Sequence, residues 1–188
     1  PTPTPTPTST ATPAPTPTPL PADFVTGGAD ERFGIIAGGA SALVADRLNT
    51  LQTTWYIDYN FDATTAPPGA HKVPYIPTSV PVRVPEEELI RVATEAPGSV
   101  WYVGGETNAK GITPTFYVHE FDYYVGIIKS TDPTAKIMSA SILNWDFTCS
   151  GCGGFQSGES WLTEFIAVYQ ANHDGELPPV DIWAIDAY

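Results

Sequence analysis

Basic side chains are scarce. Eight Lys and Arg stand against 21 Asp and Glu, for a net charge of −13. A nucleic acid needs a basic footprint to displace its counterions, and an anionic membrane surface attracts the same kind of patch. Charge argues against both partners. Long apolar runs are also lacking. The longest uncharged stretch of apolar character, Phe33 to Ala45, contains three Gly and one Ser. It falls short of the ~18 residues a membrane span requires.

Cysteine is limited to Cys149 and Cys152. One C-x-x-C pair is half of a structural zinc site, and there is no second pair. The histidines, His71, His119 and His173, are scattered. His119-Glu120 opens like the zinc-protease H-E-x-x-H, but position 123 is Tyr, so that motif fails. No metal and no cofactor is expected. A thioredoxin-like reading wants C-x-x-C at a helix start, whereas Gly flanks both sides of Cys152 and favours a loop. A disulfide stapling that loop is the main expectation, and it fits an exported protein.

What is abundant is proline, and it is concentrated. Of 20 Pro, nine fall in the first 21 residues, with eight Thr and no charge. Alternating Pro fixes φ and removes donors, so neither helix nor central strand forms. Residues 1–22 are expected to be a disordered, polyproline-II spacer of roughly 65 Å, at ~3.1 Å per residue. A plain linker, an O-glycosylated stalk and a ligand for a Pro-binding module stay open. Each points outside the cell, to an extracellular or cell-surface place. A chain opening in this way is expected of a mature product or one module of a longer protein.

Residues 23–188 hold all the charges, all five Trp and both Cys, enough for one globular domain. Short apolar strands alternate with helical segments. Strands are expected at 32–36, 54–59, 72–76, 99–103, 135–142 and 180–185. Helices are expected at 41–51, from Pro85 to about Glu95, from Thr113-Pro114 to Asp132, and at 161–172. Pro85-Glu-Glu-Glu88 opens a helix well, with carboxylates at the positive end of the dipole. Tyr117, Phe121, Tyr124, Val125 and Ile128 recur at helical spacing. Alternating strands and helices imply a parallel α/β sheet with right-handed crossovers. It is either an open doubly wound sheet or a (β/α) barrel. The dinucleotide fingerprint and the phosphate-cradling loop are both absent, so a nucleotide-binding open sheet has no support.

Sites in parallel α/β folds lie at the C-terminal ends of the strands. Asp58, Tyr59 and Asn60 fall there, as do Glu106, Asn108, Asn144, Trp145, Asp146, Asp186 and Tyr188. Carboxylates, amides and aromatic faces with few cations suit neutral polyols: acids and bases for the bond, amides for hydroxyls, rings for rings.

WYVGGETN (Trp101 to Asn108) resembles the strand-four W-x-x-G-N-E-P-N segment of retaining glycoside hydrolases of the (β/α)8 clan with two catalytic glutamates. Three further stretches resemble the bacterial glycosyl-hydrolase-core proteins of that clan. They are Asp132-Pro-Thr-Ala-Lys136, Asn144-Trp-Asp-Phe147 with its C-x-x-C loop, and Asp181-Ile-Trp-Ala-Ile-Asp-Ala-Tyr188, similar to D-V-W-x-I-H-x-Y. The resemblance implies a (β/α)8 TIM-barrel type fold, here incomplete at about six βα units. It implies a polysaccharide or oligosaccharide as partner. Glu106 would be the general acid/base, a role that needs its proton held in a partly desolvated pocket. Asn108, Trp145, Asp186 and Tyr188 would line the sugar site. The clan's nucleophilic Glu lies at the end of strand seven and is expected to be missing here. Three positions depart from the pattern: the Asn before the acid is Gly105, the Pro after it is Thr107, and the His of H-x-Y is Asp186. Asp186 could instead serve as a second carboxylate beside Glu106. Eight barrel units take ~250 residues, so a barrel stopping after strand six accounts for the length. Its open edges could be satisfied by another copy. The alternative function is a non-catalytic carbohydrate-binding or structural surface module.

Overall fold

A computed structural model describes residues 33–38, 41–78, 83–143 and 157–186. The chain runs β1 (Gly34–Ile36), α1 (Ser41–Leu51), β2 (Trp55–Ile57), a 3-10 turn (Ala63–Thr65), β3 (His71–Lys72) and β4 (Tyr75–Pro77). It continues with α2 (Glu86–Glu95), β5 (Val100–Gly104), α3 (Pro114–Thr131), β6 (Lys136–Leu143), α4 (Gly158–Asn172) and β7 (Ile182–Asp186). The expected helices and strands are all present. The tail, and the cysteine loop with Cys149 and Cys152, lie outside the described residues.

Every strand pair is parallel: β1–β2, β2–β3, β4–β5, β5–β6 and β6–β7. The third expected strand is split in two at Pro74, which has no N–H to give to a ladder. Its first half bonds backward, from Val73 N–H to the Tyr56 carbonyl at 2.9 Å. Its second half bonds forward, with the Pro74 carbonyl accepting from Tyr102 N–H at 2.8 Å. Counting β3 and β4 as one, six strand positions follow chain order. A doubly wound sheet would reverse direction at a switch point. No reversal occurs among the described strands.

Period-two alternation sorts the side chains of β5. Trp101 and Val103 face the helices and join Tyr117, Phe121, Ile128, Trp161 and Phe165 in the main core. Tyr102 faces the other way, with Val73 and Tyr75. β6 keeps this order across a bulge between Met138 and Ser141. One extra residue lets both of those side chains point to the inner face.

Caps fix the helix ends. Thr113 accepts from Phe116 N–H with Pro114 opening α3, and Ser157 accepts from Ser160 N–H at the start of α4. Arg91 on α2 bonds Glu88, Glu95 and Asp62, tying the helix to the 3-10 turn. His119, which the sequence leaves without a partner, lies on the surface beside Arg83 and Glu120. Arg83 in turn holds Glu120 by two hydrogen bonds.

Asp132 ends α3 and is 6% exposed. One carboxylate oxygen accepts from Gly98 N–H at 2.7 Å, the other from Thr134 N–H at 2.9 Å. Burial alone would raise its pKa, but these hydrogen bonds win and lower it. The Arg83 hydrogen bond lowers that of Glu120. A carboxyl with a depressed folded pKa contributes stability above its unfolded value and loses it as pH falls through the folded one. The melting temperature is therefore expected to drop as pH goes below about 4. Asp132→Asn should flatten that drop in a pH series of thermal melts. An unchanged slope would refute the role of Asp132.

Candidate functional site

The site is assembled at the C-terminal ends of β2, β4, β5, β6 and β7. After β2 the chain descends a staircase of side-chain-to-backbone turns. Asp58 accepts from Asn60 N–H, Asn60 from Asp62 N–H, and Asp62 from Thr64 N–H. Asp58 is also anchored from below by Lys72. The Lys72 side chain is 1% exposed, and its ammonium lies 2.8 Å from the Asp58 carboxylate. Between these turns Tyr59 takes φ +59°, a left-handed conformation that costs a non-glycine residue about 1–2 kcal/mol. The outcome is a half-exposed ring set edge-on against Tyr75, with centroids 5.3 Å apart. Tyr75 in turn meets Tyr102 at 5.2 Å. Tyr59 after β2, Tyr75 on β4 and Tyr102 on β5 form one row.

Glu106 follows two glycines in positive φ, Gly104 at +136° and Gly105 at +103°. Tyr75 donates its hydroxyl to the Gly104 carbonyl at 3.2 Å. A side chain begun at Gly105 would meet the Tyr75 hydroxyl at 2.7 Å and approach Lys110 Nζ at 3.5 Å. That is where the resembled hydrolases carry Asn, and here Tyr75 occupies the space.

Asp186 ends β7 in register with Leu143 of β6. It accepts from Ser141 Oγ at 2.9 Å, and Ser141 is itself hydrogen-bonded to the Tyr102 hydroxyl. Glu106 lies within hydrogen-bonding reach of Asp186. Burial pushes the Asp186 carboxyl above the ordinary Asp range. The Ser141 hydrogen bond opposes this, while the charge and hydrogen bond of Glu106 add to it. Burial also raises the Tyr102 and Tyr75 hydroxyls, with nearby negative charge in the same direction.

Of the expected site residues, Glu106 and Asp186 are brought together. Asn108 stands beside them, 2% exposed. Its amide donates to the Leu143 carbonyl at 2.7 Å and accepts from Leu143 N–H at 3.0 Å. It clips the Glu106 loop to the end of β6. Trp145 and Tyr188 lie outside the described residues. Sequence reading named Tyr59 only as a strand end and passed over Tyr75, Tyr102 and Ser141. Alternation along VWYVG was the available signal, since it sets Tyr102 opposite the core-facing Trp101 and Val103.

A cavity of about 760 Å³ opens at the opposite ends of the strands, lined by Trp55, His71, Val100, Lys136, Met138 and Ile182. It gathers no paired carboxyls. Chemistry in parallel α/β folds sits at the other end, so the Glu106–Asp186 end is the stronger candidate. No group of His, Cys, Asp and Glu able to hold a metal occurs among the described residues.

No protein-family model matches the sequence, and no curated protein matches it. Among solved structures, the chain is similar to a GH128 (subgroup II) endo-beta-1,3-glucanase from Pseudomonas viridiflava, with a TM-score of 0.63 at 20% identity. The match covers 80% of this chain and 58% of the glucanase chain. At that identity the likeness establishes a glycoside-hydrolase-like α/β fold.

Proposed function

We propose that the chain is a glycoside-hydrolase-like module that takes a neutral polysaccharide of the β-1,3-glucan kind outside the cell. The observation that carries this reading is two half-buried carboxyls, Glu106 and Asp186, beside a row of three tyrosines. It stands at the strand ends of a fold like that of an endo-beta-1,3-glucanase. The exposed ring of Tyr59, backed by the buried Tyr75 and Tyr102, suits the apolar face of a sugar ring, and carboxyls suit its hydroxyls and the bond between rings. In this reading the six strand positions are six of the eight of a (β/α)8 barrel. Glu106 is the general acid/base, while Trp145 and Tyr188 extend the sugar site. Asn108 holds the Glu106 loop in place.

The clan's nucleophile belongs to a seventh strand, outside these six positions, which supply the acid and bind glucan. A second reading, a non-catalytic carbohydrate-binding module, is favoured by Gly105. Without the Asn of the resembled hydrolases, a contact to the sugar 2-OH that strengthens in the transition state is lost.

Co-sedimentation with insoluble β-1,3-glucan tests binding. The chain should pellet with the glucan, and Tyr59→Ala should weaken that at least about fivefold, the ~1 kcal/mol a ring contact contributes. Failure to pellet would sink the reading. Any slow release of reducing ends should vanish in Glu106→Gln. Equal release by both proteins would remove Glu106 from the chemistry and leave the binding module.

A further inference from the structure

The cavity at the opposite ends of the strands has no part in the proposed function. The register that builds the two sheets also lines it. Three pairs of register partners face it: Trp55 with His71, Val100 with Lys136, and Met138 with Ile182. Along β5 and β6 this follows from alternation. Trp101 and Ile137 turn to the main core, so Val100, Lys136 and Met138 turn inward. Val100 and Met138 pack against Val73, Tyr75 and Tyr102. Tyr102 stands two residues beyond Val100 towards the end of β5, so this layer separates the cavity from Glu106.

The charge of the cavity is opposite to that of the chain. Asp and Glu outnumber Lys and Arg by 21 to 8. Yet among the described residues no Asp or Glu lines the cavity, while two Lys and one His do. The two lysines differ. Lys72 is buried, and its ammonium is held by Asp58 and Thr65. Lys136 is exposed, and its ammonium has no ion pair or hydrogen bond among the described residues. Asp181, on the approach to β7, is engaged elsewhere. Its carboxylate accepts from Ile137 N–H at 2.7 Å and lies 3.6 Å from the Lys129 ammonium. Other polar atoms are few, and the Ser99 hydroxyl is already given to the Ala96 carbonyl. A sugar would find no side-chain amide or carboxyl here for its hydroxyls.

We propose that this cavity binds a small apolar anion, a ring system or short chain carrying a single acidic group. The apolar body lies on Trp55, Val100, Met138 and Ile182, and the acidic group meets Lys136. About 760 Å³ falls within the ~300–1,000 Å³ of small-molecule sites. Burying the body against aromatic and aliphatic surface supplies the attraction, and the one unpaired cation selects a single negative charge. A polyanion would be repelled by a chain of net charge −13. The site stands or falls independently of glucan, which belongs to the other end of the strands.

Two dyes with the same rings test it on the full chain: anilinonaphthalene sulfonate, which is anionic, and phenylnaphthylamine, which is not. Each should bind saturably, one per chain, in a fluorescence titration. Lys136→Met should weaken the sulfonate roughly fivefold, the upper range for an exposed charge pair, and leave the neutral dye unchanged. Lys136→Arg should keep both. Amide shifts of the labelled chain should move at His71, Val100, Met138 and Ile182 and stay still at Tyr59 and Asp186. No saturable binding, or a sulfonate affinity that Lys136→Met leaves unchanged, overturns the proposal. So does an equal loss of both dyes, which would mean a loosened fold. A dimer in sedimentation that takes up neither dye overturns it too, because a second copy would then fill the cavity.

Discussion

Replacing Gly104 by alanine is expected to cost about 4 kcal/mol, from backbone strain of 1–3 kcal/mol added to overpacking of 1–3 kcal/mol. A small domain has only 5–15 kcal/mol in all, so the variant should unfold at a much lower urea concentration. The cause is local and doubly determined. Gly104 ends β5 at φ +136°, a conformation L side chains rarely adopt. A methyl group there would sit 2.6 Å from the Ala140 Cβ and 2.8 Å from its Cα. The Cα is backbone of the neighbouring strand and has nowhere to go. Tyr117, 3.2 Å away, is equally fixed. Its hydroxyl donates to the Val103 carbonyl at 2.7 Å and accepts from Ala140 N–H at 2.9 Å. Gly111 is the control. It too has positive φ, +71°, but open space around it, so Gly111→Ala should cost only about 1 kcal/mol. Equal losses for the two variants would mean that close packing of β5 on β6 is not what Gly104 provides.

Lys72→Met is expected to cost about 3 kcal/mol, at the low end of what breaking a buried ion pair costs because its partner is partly solvated. The Lys72 ammonium lies 2.8 Å from Asp58 and donates to Thr65 Oγ1 at 3.1 Å. Methionine fills the same volume and removes the charge. The Asp58 side chain, 22% exposed, is then left with only partial access to water. The damage should reach the site, since Asp58 begins the staircase that holds Tyr59 in its left-handed conformation. The variant should therefore lose glucan binding as well as stability in urea melts. Stability within about 0.5 kcal/mol of the wild type, the range of ordinary surface changes, would show that the ion pair is incidental. Double replacement of Lys72 and Asp58 by apolar residues should restore much of the stability, because no charge is then stranded.

The elements were legible in the sequence because their signals are local. Thr113-Pro114 is a helix start read from neighbours in the chain, and Tyr117 to Ile128 mark a helix face by spacing alone; the Ser157 cap, which starts α4 three residues before the expected 161, was not read. Glu106 and Asp186 were legible as strand-terminal carboxyls. A place for Asp186 beside Glu106 was one reading of the sequence, but the β6–β7 register and the bulge at Ser139 and Ala140 that set Asp186 there are signalled by no composition. The split of the third strand at Pro74 was visible as a proline, but its consequence was not. One half of that strand bonds backward and the other forward, which only the two neighbouring strands decide. Asn108 was read as a sugar contact because amides bind hydroxyls. In the fold both ends of its amide face Leu143. The tyrosine row escaped notice because Tyr59, Tyr75 and Tyr102 come from three separate segments of the chain, and nothing in one segment reports on the others.

In the proposed function a neutral glucan sits across the Glu106–Asp186 end of the strands. Chemical-shift mapping of the labelled chain with a linear β-1,3-glucan oligosaccharide tests it most directly. Changes are expected to gather at Tyr59, Tyr75, Tyr102, Glu106 and Asp186, with His71, Val100 and Ile182 at the opposite end unmoved. Changes at that opposite cavity, or none at saturating glucan, would contradict it.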